Sequence, residues 1–370
     1  MNGCLIIMPV LFRGGSEKQI RLIIDGIEGK KDVLSVIVEC RDASMDAVER
    51  EYVKNHPNTH FVFLDSNSLE TKYKNACLKY LSKVKSLILL INAVKREIKR
   101  NHIRVAMVTN LTGLVLVPWF RFLGCEVIYN ERNPGIKVCD SIWKRKLLLK
   151  CKKLVCNSKY ASQHMHRMLN REIEVINNGI IPIDEDNTPI SDGVFRIIVP
   201  ARISRVKNQM ILLEAINRLK DTMNLHITFA GVYEDESYYQ ILKNYMKANC
   251  MEKFIDFIGF TSNMLYLYQT SNLLVLPSLE EGTPNVLLEA YMCHLPVLAS
   301  NIPMNIDCLQ DKSYLFDPND AKDLADKICW ISKLESDKKK EITGINYAFV
   351  LEYYGVKKMQ DRYISLLFVE

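Results

Sequence analysis

The chain has 370 residues, 48% of them hydrophobic and 25% charged, with a formal net charge of +6. That length exceeds one ordinary core and predicts about two domains, and the composition excludes a disordered or membrane-spanning chain. Eleven cysteines, an odd number with no C-x-x-C pair, argue against a disulfide or metal framework and for a reducing cytoplasm.

In chain order, the first element is a strand over residues 4–10. No charged segment followed by a long apolar run precedes it, so no signal peptide is expected. Arg13 to Glu17 read R-G-G-S-E directly after it. Gly14 and Gly15 allow a tight turn and close backbone approach to a ligand, and Ser16 can cap the following helix. It is not G-x-G-x-x-G, so a dinucleotide fingerprint is absent, and the alternative is a purely structural strand–helix turn.

Strands over 33–38, 60–64, 104–108, 126–129 and 153–156 follow, separated by amphipathic segments. Between Lys72 and Arg104 ten basic residues are opposed by Glu97 alone, and a second cluster runs from Lys144 to Lys153. These are either solvated helix faces or a surface for anionic lipid head groups or a pyrophosphate-bearing acceptor. Nucleic acid is disfavoured, since no binding motif accompanies the charge. The longest apolar run, 86–94, falls far short of the roughly 20 residues that span a bilayer.

Residues 177–193 are polar, contain Pro182 and Pro189 and carry Asp184, Glu185 and Asp186, which reads as an interdomain linker. A second strand series then occupies 195–199, 226–230, 255–258, 273–276 and 297–299. Two consecutive βα series predict two doubly wound parallel sheets, whose ligands bind outside the carboxyl ends of strands.

Two stretches in the second series carry candidate chemistry. Ala201 to Asn208 read A-R-I-S-R-V-K-N at the end of its first strand. The guanidinium fork of Arg202 with the ammonium of Lys207 suits two adjacent phosphates, and cations at a helix start oppose the dipole unless a ligand uses them. Residues 278–290 read SLEEGTPNVLLEA. Thr283 is the expected N-cap and Pro284 the first helical residue, which leaves the N–H groups of Asn285, Val286 and Leu287 for a phosphate. Glu281 is placed to bind sugar hydroxyls and Glu289 to accept from a ribose diol. A carboxylate among leucines needs a partner; the alternative is an exposed Glu289 and a merely decorative Glu281. Ser278 has no nucleophile-elbow context, and there is no P-loop.

These stretches resemble family-four retaining glycosyltransferases of the GT-B fold, especially bacterial enzymes that build capsule, O-antigen or exopolysaccharide. The resemblance is carried by Arg202 with Lys207, by Gly231, by Ile258-Gly259-Phe260, and by LPSLEEGTPNVLLEAYMCHLPVLAS. In the first half it is carried by the glycine pair with Glu17, VIYNERNPG, LVCNSKYA and NNGI.

The resemblance implies an α/β fold of two Rossmann-like domains facing each other across a cleft. Residues 1–184 would bind acceptor, 185–349 would bind donor, and a last helix in 350–370 would return to the first domain. It implies that Arg202 and Lys207 hold the donor diphosphate and stabilise the leaving group, with no metal and no cofactor. Glu281 would contact the donor sugar and Glu289 the ribose. Phe260, Gly282, Thr283, Pro284, Asn285, Val286 and Leu287 would complete the donor site, and Gly14 and Gly15 would line its phosphate. Two positions depart from the pattern. Glu131 or Arg132 stands where relatives often have histidine, and His294 stands where they usually have glycine.

The implied function is transfer of a sugar from a nucleotide-diphosphate donor, UDP favoured, to a glycan or polyprenyl-diphosphate-linked acceptor. The enzyme would be cytoplasmic, or peripheral at the inner membrane face. The alternatives are a nucleotide-sugar 2-epimerase of the same architecture and a non-catalytic nucleotide-sugar or glycan-binding protein.

Overall fold

The computed structural model describes residues 3–12, 14–28, 30, 33–40, 46–64, 76–183 and 188–368, without the side chains of 76–83. Arg13, Lys72, Lys74 and the acidic run 184–186 lie outside the described residues, as do the side chains of Lys79 and Lys83. The chain divides into two compact units, Met1–Gly179 with Val356–Glu370, and Ile180–Gly355. It therefore crosses between them twice, the first time within the 177–193 linker expected from composition and a few residues before the 184/185 boundary that the resemblance implies.

Unit 1 is built on seven parallel strands: β1 (Gly3–Met8), β2 (Val33–Val38), β3 (Thr59–Phe63), β4 (Ile103–Val108), β5 (Glu126–Glu131), β6 (Lys153–Cys156) and β7 (Glu174–Val175). Their order is β3-β2-β1-β4-β5-β6-β7. Helices cover both faces, so β1 is buried at every position: Leu5 and Ile7 enter one core while Cys4, Ile6 and Met8 enter the other. That is why it reads as a continuous apolar run rather than an alternating one.

The last helix, Val356–Leu367, packs on helix Gly15–Ile27. Its buried stripe is Met359, Tyr363, Leu366 and Leu367, a helical spacing in which each buried side chain contributes about 2 kcal/mol.

Unit 2 has six parallel strands: β8 (Phe195–Pro200), β9 (Leu225–Ala230), β10 (Ile255–Gly259), β11 (Leu273–Leu276), β12 (Val297–Ser300) and β13 (Leu315–Phe316). The order β10-β9-β8-β11-β12-β13 reverses direction at β8, whose neighbours are β9 and β11. The loops leaving the carboxyl ends of β8 and β11 therefore diverge to opposite faces, and a crevice opens between them.

His294 ends helix Asn285–Met292 in the left-handed conformation, φ 52°. The His294 N–H donates to the Tyr291 carbonyl and Leu295 N–H to that of Ala290, a two-bond C-terminal cap. Glycine adopts this φ without strain, whereas a side chain pays about 1 kcal/mol. Here the imidazole does not simply face solvent; it stacks on Tyr347 at 4.6 Å, which offsets that strain.

Candidate functional site

At the crevice between β8 and β11 two of the residues singled out from sequence meet. Lys207 ends a short 3₁₀ turn, Arg205–Lys207, after β8. Glu281 lies in the loop after β11. Lys207 Nζ donates to Glu281 Oε1 at 2.6 Å, with only 15% and 12% of the two side chains exposed. The loops are also joined through the backbone, the Leu279 N–H donating to the Val206 carbonyl at 2.8 Å. Beneath them, Ser300 Oγ donates to the Ser278 carbonyl, and Asn305 Nδ2 donates to Ser300. The ion pair thus stands on a floor fixed by hydrogen bonds, at the position where open α/β sheets bind ligands.

Arg202 is more exposed and donates to Glu234 Oε1 at 2.6 Å. Its backbone is held tightly on two sides. Gln209 Nε2 donates to the Arg202 carbonyl at 2.8 Å, and a Cβ added to Gly231 would stand 2.1 Å from the Ala201 carbonyl oxygen. Only glycine fits there, which explains Gly231 in physical terms. Phe260, after the positive-φ turn at Gly259, is exposed at the end of β10.

The helix after Glu281 differs from expectation. It runs Asn285–Met292 with Pro284 as its N-cap, at φ −76° and ψ 83°, and no side chain caps it. Thr283 is therefore not the capping side chain. The Asn285 N–H turns back to the Thr283 carbonyl at 2.9 Å, and the Leu287 N–H reaches the Pro284 carbonyl at 3.1 Å. Two of the three N–H groups expected for a phosphate are thus engaged within the loop. Val286 retains the one suited to an anion. Gly282 and Thr283 are half-buried in the same loop.

Glu289 also has a protein partner. Tyr268, from helix Met264–Thr270, donates its hydroxyl to Glu289 Oε2 at 3.0 Å. Burial first, and the Glu289 charge second, hold the tyrosine hydroxyl well above its ordinary pKa, so it remains a donor at any working pH. Glu289 is neither stranded nor loosely placed; one of its oxygens is oriented by a buried phenol.

In unit 1, Gly14 and Gly15 are exposed after β1. Gly14 rather than Ser16 is the N-cap, and no side chain caps the helix. Glu131 and Arg132 are only 4% and 5% exposed. Glu131 accepts from the Tyr129 hydroxyl and the Asn133 N–H, and burial raises its pKa. Arg132 donates to Asn178 Oδ1 at 2.7 Å and to the Tyr363 hydroxyl. Both side chains have partners inside the unit, and Arg132 ties the end of β5 to the last helix. Sequence reasoning passed over Glu39, after β2. It accepts from Asn110 Nδ2 at 2.7 Å, and its pKa is raised by burial.

Residues 181–347 match the model of a family described as glycosyl transferases, group 1. That stretch is a group 1 glycosyl transferase domain. It holds Arg202, Lys207, Glu281 and Glu289 together. The capsular polysaccharide biosynthesis glycosyltransferase CapH of Staphylococcus aureus is 28% identical over 185 residues, which is 50% of this chain and 50% of that one. The chain thus spans about half the length of this curated relative. Among solved structures, a glycosyltransferase from Rickettsia africae has a TM-score of 0.78 at 18% identity, covering 99% and 97% of the two chains. Anabaena HepE in complex with UDP-glucose has a TM-score of 0.79 at 16% identity, covering 99% of each. These likenesses establish the GT-B fold.

In the group 1 domain the missed partners are Glu234 and Tyr268. Glu234 sits in the turn after Gly231, so a carboxylate near Arg202 was within reach of sequence reasoning. Tyr268 was not, because its helix meets that of Glu289 only in the folded sheet. If Tyr268 orients Glu289 for a ligand, Glu289→Ala should weaken UDP binding about tenfold or more and Tyr268→Phe by a smaller factor, each hydrogen bond to a charged group being worth about 1.5–3 kcal/mol. Titration calorimetry checks this; unchanged affinity in Glu289→Ala removes Glu289 from the nucleotide site.

Proposed function

We propose that the chain is a retaining glycosyltransferase of polysaccharide biosynthesis that uses a nucleotide-diphosphate sugar, UDP-linked in preference, and a lipid-linked glycan acceptor. The observation that carries this reading is the Lys207–Glu281 pair at 2.6 Å, nearly buried at the crevice where β8 and β11 diverge. The ammonium neutralises the charge that develops on a leaving diphosphate, and a preorganised cation of this kind supplies much of the barrier lowering in such reactions. Glu281, held by the same contact, receives the hydroxyls of the transferred sugar.

Arg202 supplies the second cation. A diphosphate that reaches it competes with Glu234, so donor binding exchanges one anionic partner for another. The Val286 N–H offers a further contact, and Glu289 receives the ribose. In the retaining step the bond from the anomeric carbon to the diphosphate oxygen breaks. The acceptor oxygen bonds on the same face and its proton passes to the leaving phosphate oxygen, so no protein nucleophile is required. CapH, by its name a capsular glycosyltransferase, and HepE, solved with UDP-glucose, support the class and the donor.

The test combines thermal shift against UDP, GDP and their sugars with product analysis. UDP or a UDP-sugar should raise the melting temperature, and sugar should leave the donor with an α-linkage retained when acceptor is present. Donor altered in the absence of acceptor, with its nucleotide still attached, would favour an epimerase. Binding without transfer or hydrolysis would favour a non-catalytic protein.

A further inference from the structure

Unit 1 carries an apolar stripe that no part of the described chain covers. After β4 the chain forms two short helices, Leu111–Val115 and Val117–Phe122. Their exposed positions are Leu111, Val115, Pro118, Arg121 and Phe122, four apolar residues with one cation among them. Phe122 is 78% exposed and is held by a stack on Trp119 at 5.5 Å.

Helix Ile142–Leu148 packs against the first of these helices. The helix and the turn after it show solvent Ile142, Trp143, Lys146, Leu149 and Lys150, with Ile142 69% exposed. Single exposed apolar residues are ordinary. Two adjoining stripes are not, because contiguous apolar patches mark interaction surfaces.

The charge beside the stripe identifies the partner. A cavity of about 620 Å³ opens next to Leu149, with Arg121, Lys150, Lys152 and Arg171 in its lining and Glu126 as the opposing acid. Glu126 pairs with Lys152, and Arg171 donates to the Cys151 and Lys152 carbonyls. No carboxylate among the described residues pairs with Arg121, Lys146 or Lys150.

Helix Ala76–Asn101 covers the same face of the sheet. Its one acid over the described turns, Glu97, is turned inward onto Ser35, His60 and Asn101, so its outer side at Lys95, Lys99 and Arg100 is wholly basic. Protein-binding patches are depleted of charge at their centre. Aromatic and aliphatic side chains interleaved with unopposed Lys and Arg suit a lipid–water interface instead.

We propose that this face of unit 1, the 111–122 and 142–150 stripes with the Arg121–Lys150 cavity, docks on an anionic phospholipid bilayer. Trp143, Phe122 and Ile142 enter the head-group region and the cations meet lipid phosphates. The proposal deepens the reading of a lipid-linked acceptor. Its test reads vesicle binding without donor or acceptor, so the two fail separately.

The full-length protein is sedimented with phosphatidylcholine vesicles, with and without phosphatidylglycerol. Binding should require the anionic lipid, weaken severalfold between about 0.1 and 0.5 M NaCl, and shift Trp emission to the blue. Phe122→Ser with Trp143→Ser should weaken partitioning about tenfold or more, and Lys146→Glu with Lys150→Glu should do the same on anionic vesicles. Unchanged UDP-induced thermal shifts show that the variants fold. Absence of vesicle binding, or binding indifferent to both pairs, overturns the proposal. So does a concentration-dependent dimer that the Phe122/Trp143 variant abolishes while vesicles remain unbound.

Discussion

Lys207→Ala should lower kcat/KM for sugar transfer by about 10²- to 10³-fold, the loss expected when a preorganised group that stabilises developing charge is removed. The geometry makes a second effect unavoidable. Glu281 is 12% exposed and its carboxylate faces Lys207 at 2.6 Å. Removing the cation strands a nearly buried negative charge, which costs about 3 kcal/mol in comparable pairs. The alanine variant therefore combines a catalytic loss with a stability loss, and a lower melting temperature alone does not argue for catalysis.

Glu281→Gln separates the two. It keeps the shape and an oxygen that accepts from the Lys207 ammonium, and loses the charge. On the proposed roles it should retain most UDP affinity and lose turnover, because the donor sugar rather than the nucleotide meets Glu281. Steady-state kinetics with saturating UDP-sugar, beside calorimetry with UDP, decides the matter. Full turnover in Glu281→Gln, or in a Lys207→Ala enzyme that remains folded, would remove the pair from the chemistry.

The second large effect concerns a residue without a side chain. Gly231→Ala should destabilise unit 2 by about 3 kcal/mol, at the upper end of overpacking penalties. The new Cβ would meet the Ala201 carbonyl at 2.1 Å, its carbon at 2.5 Å and the Arg202 nitrogen at 2.9 Å. Those are backbone atoms in a pinned segment: Ile203 exchanges hydrogen bonds with Val232, Glu234 and Asp235. Relief must come by moving the Arg202 loop, so donor affinity should fall with stability. Gly344→Ala is the contrast in the same unit. It lies in helix Ser336–Tyr354 with open space around it, and alanine there should stabilise by up to about 1 kcal/mol. Denaturant melts of both variants check the pair; equal stabilities would show that the β9 turn yields more easily than its contacts suggest.

The legible parts of the fold were those with a strong local signal. β1 and β8 announce themselves as short apolar runs because they are buried on both faces, and Gly231 after β9 marks a close backbone approach. β7 and β13 have two residues each, too few to show any period. Arg202, Lys207, Glu281 and Glu289 were legible as a set because each follows a strand of the second series.

Their partners were not. Tyr268 reaches Glu289 across 21 residues, and Arg132 reaches Tyr363 across 231, distances at which only the folded sheet decides who meets whom. The helix start at Thr283-Pro284 was misread for a local reason. Proline satisfies the first helical position by its fixed φ, but its ψ here is 83°, outside the helical range, and the turn back to Thr283 moves the cap along by one.

The two crossings of the chain have a consequence for how the molecule is made. The Ile180 N–H donates to the Tyr354 carbonyl at 2.7 Å, and Ile180 bridges Gly355, so unit 2 begins and ends at one spot. It is an insert within unit 1, closed at its base like a loop on a stem. On the ribosome it is complete and free to fold while unit 1 still lacks Met359, Tyr363, Leu366 and Leu367. The first half of the chain thus waits with an open core beside a finished neighbour. Truncation after residue 355 should accordingly spare the inserted unit and leave the older half aggregation-prone.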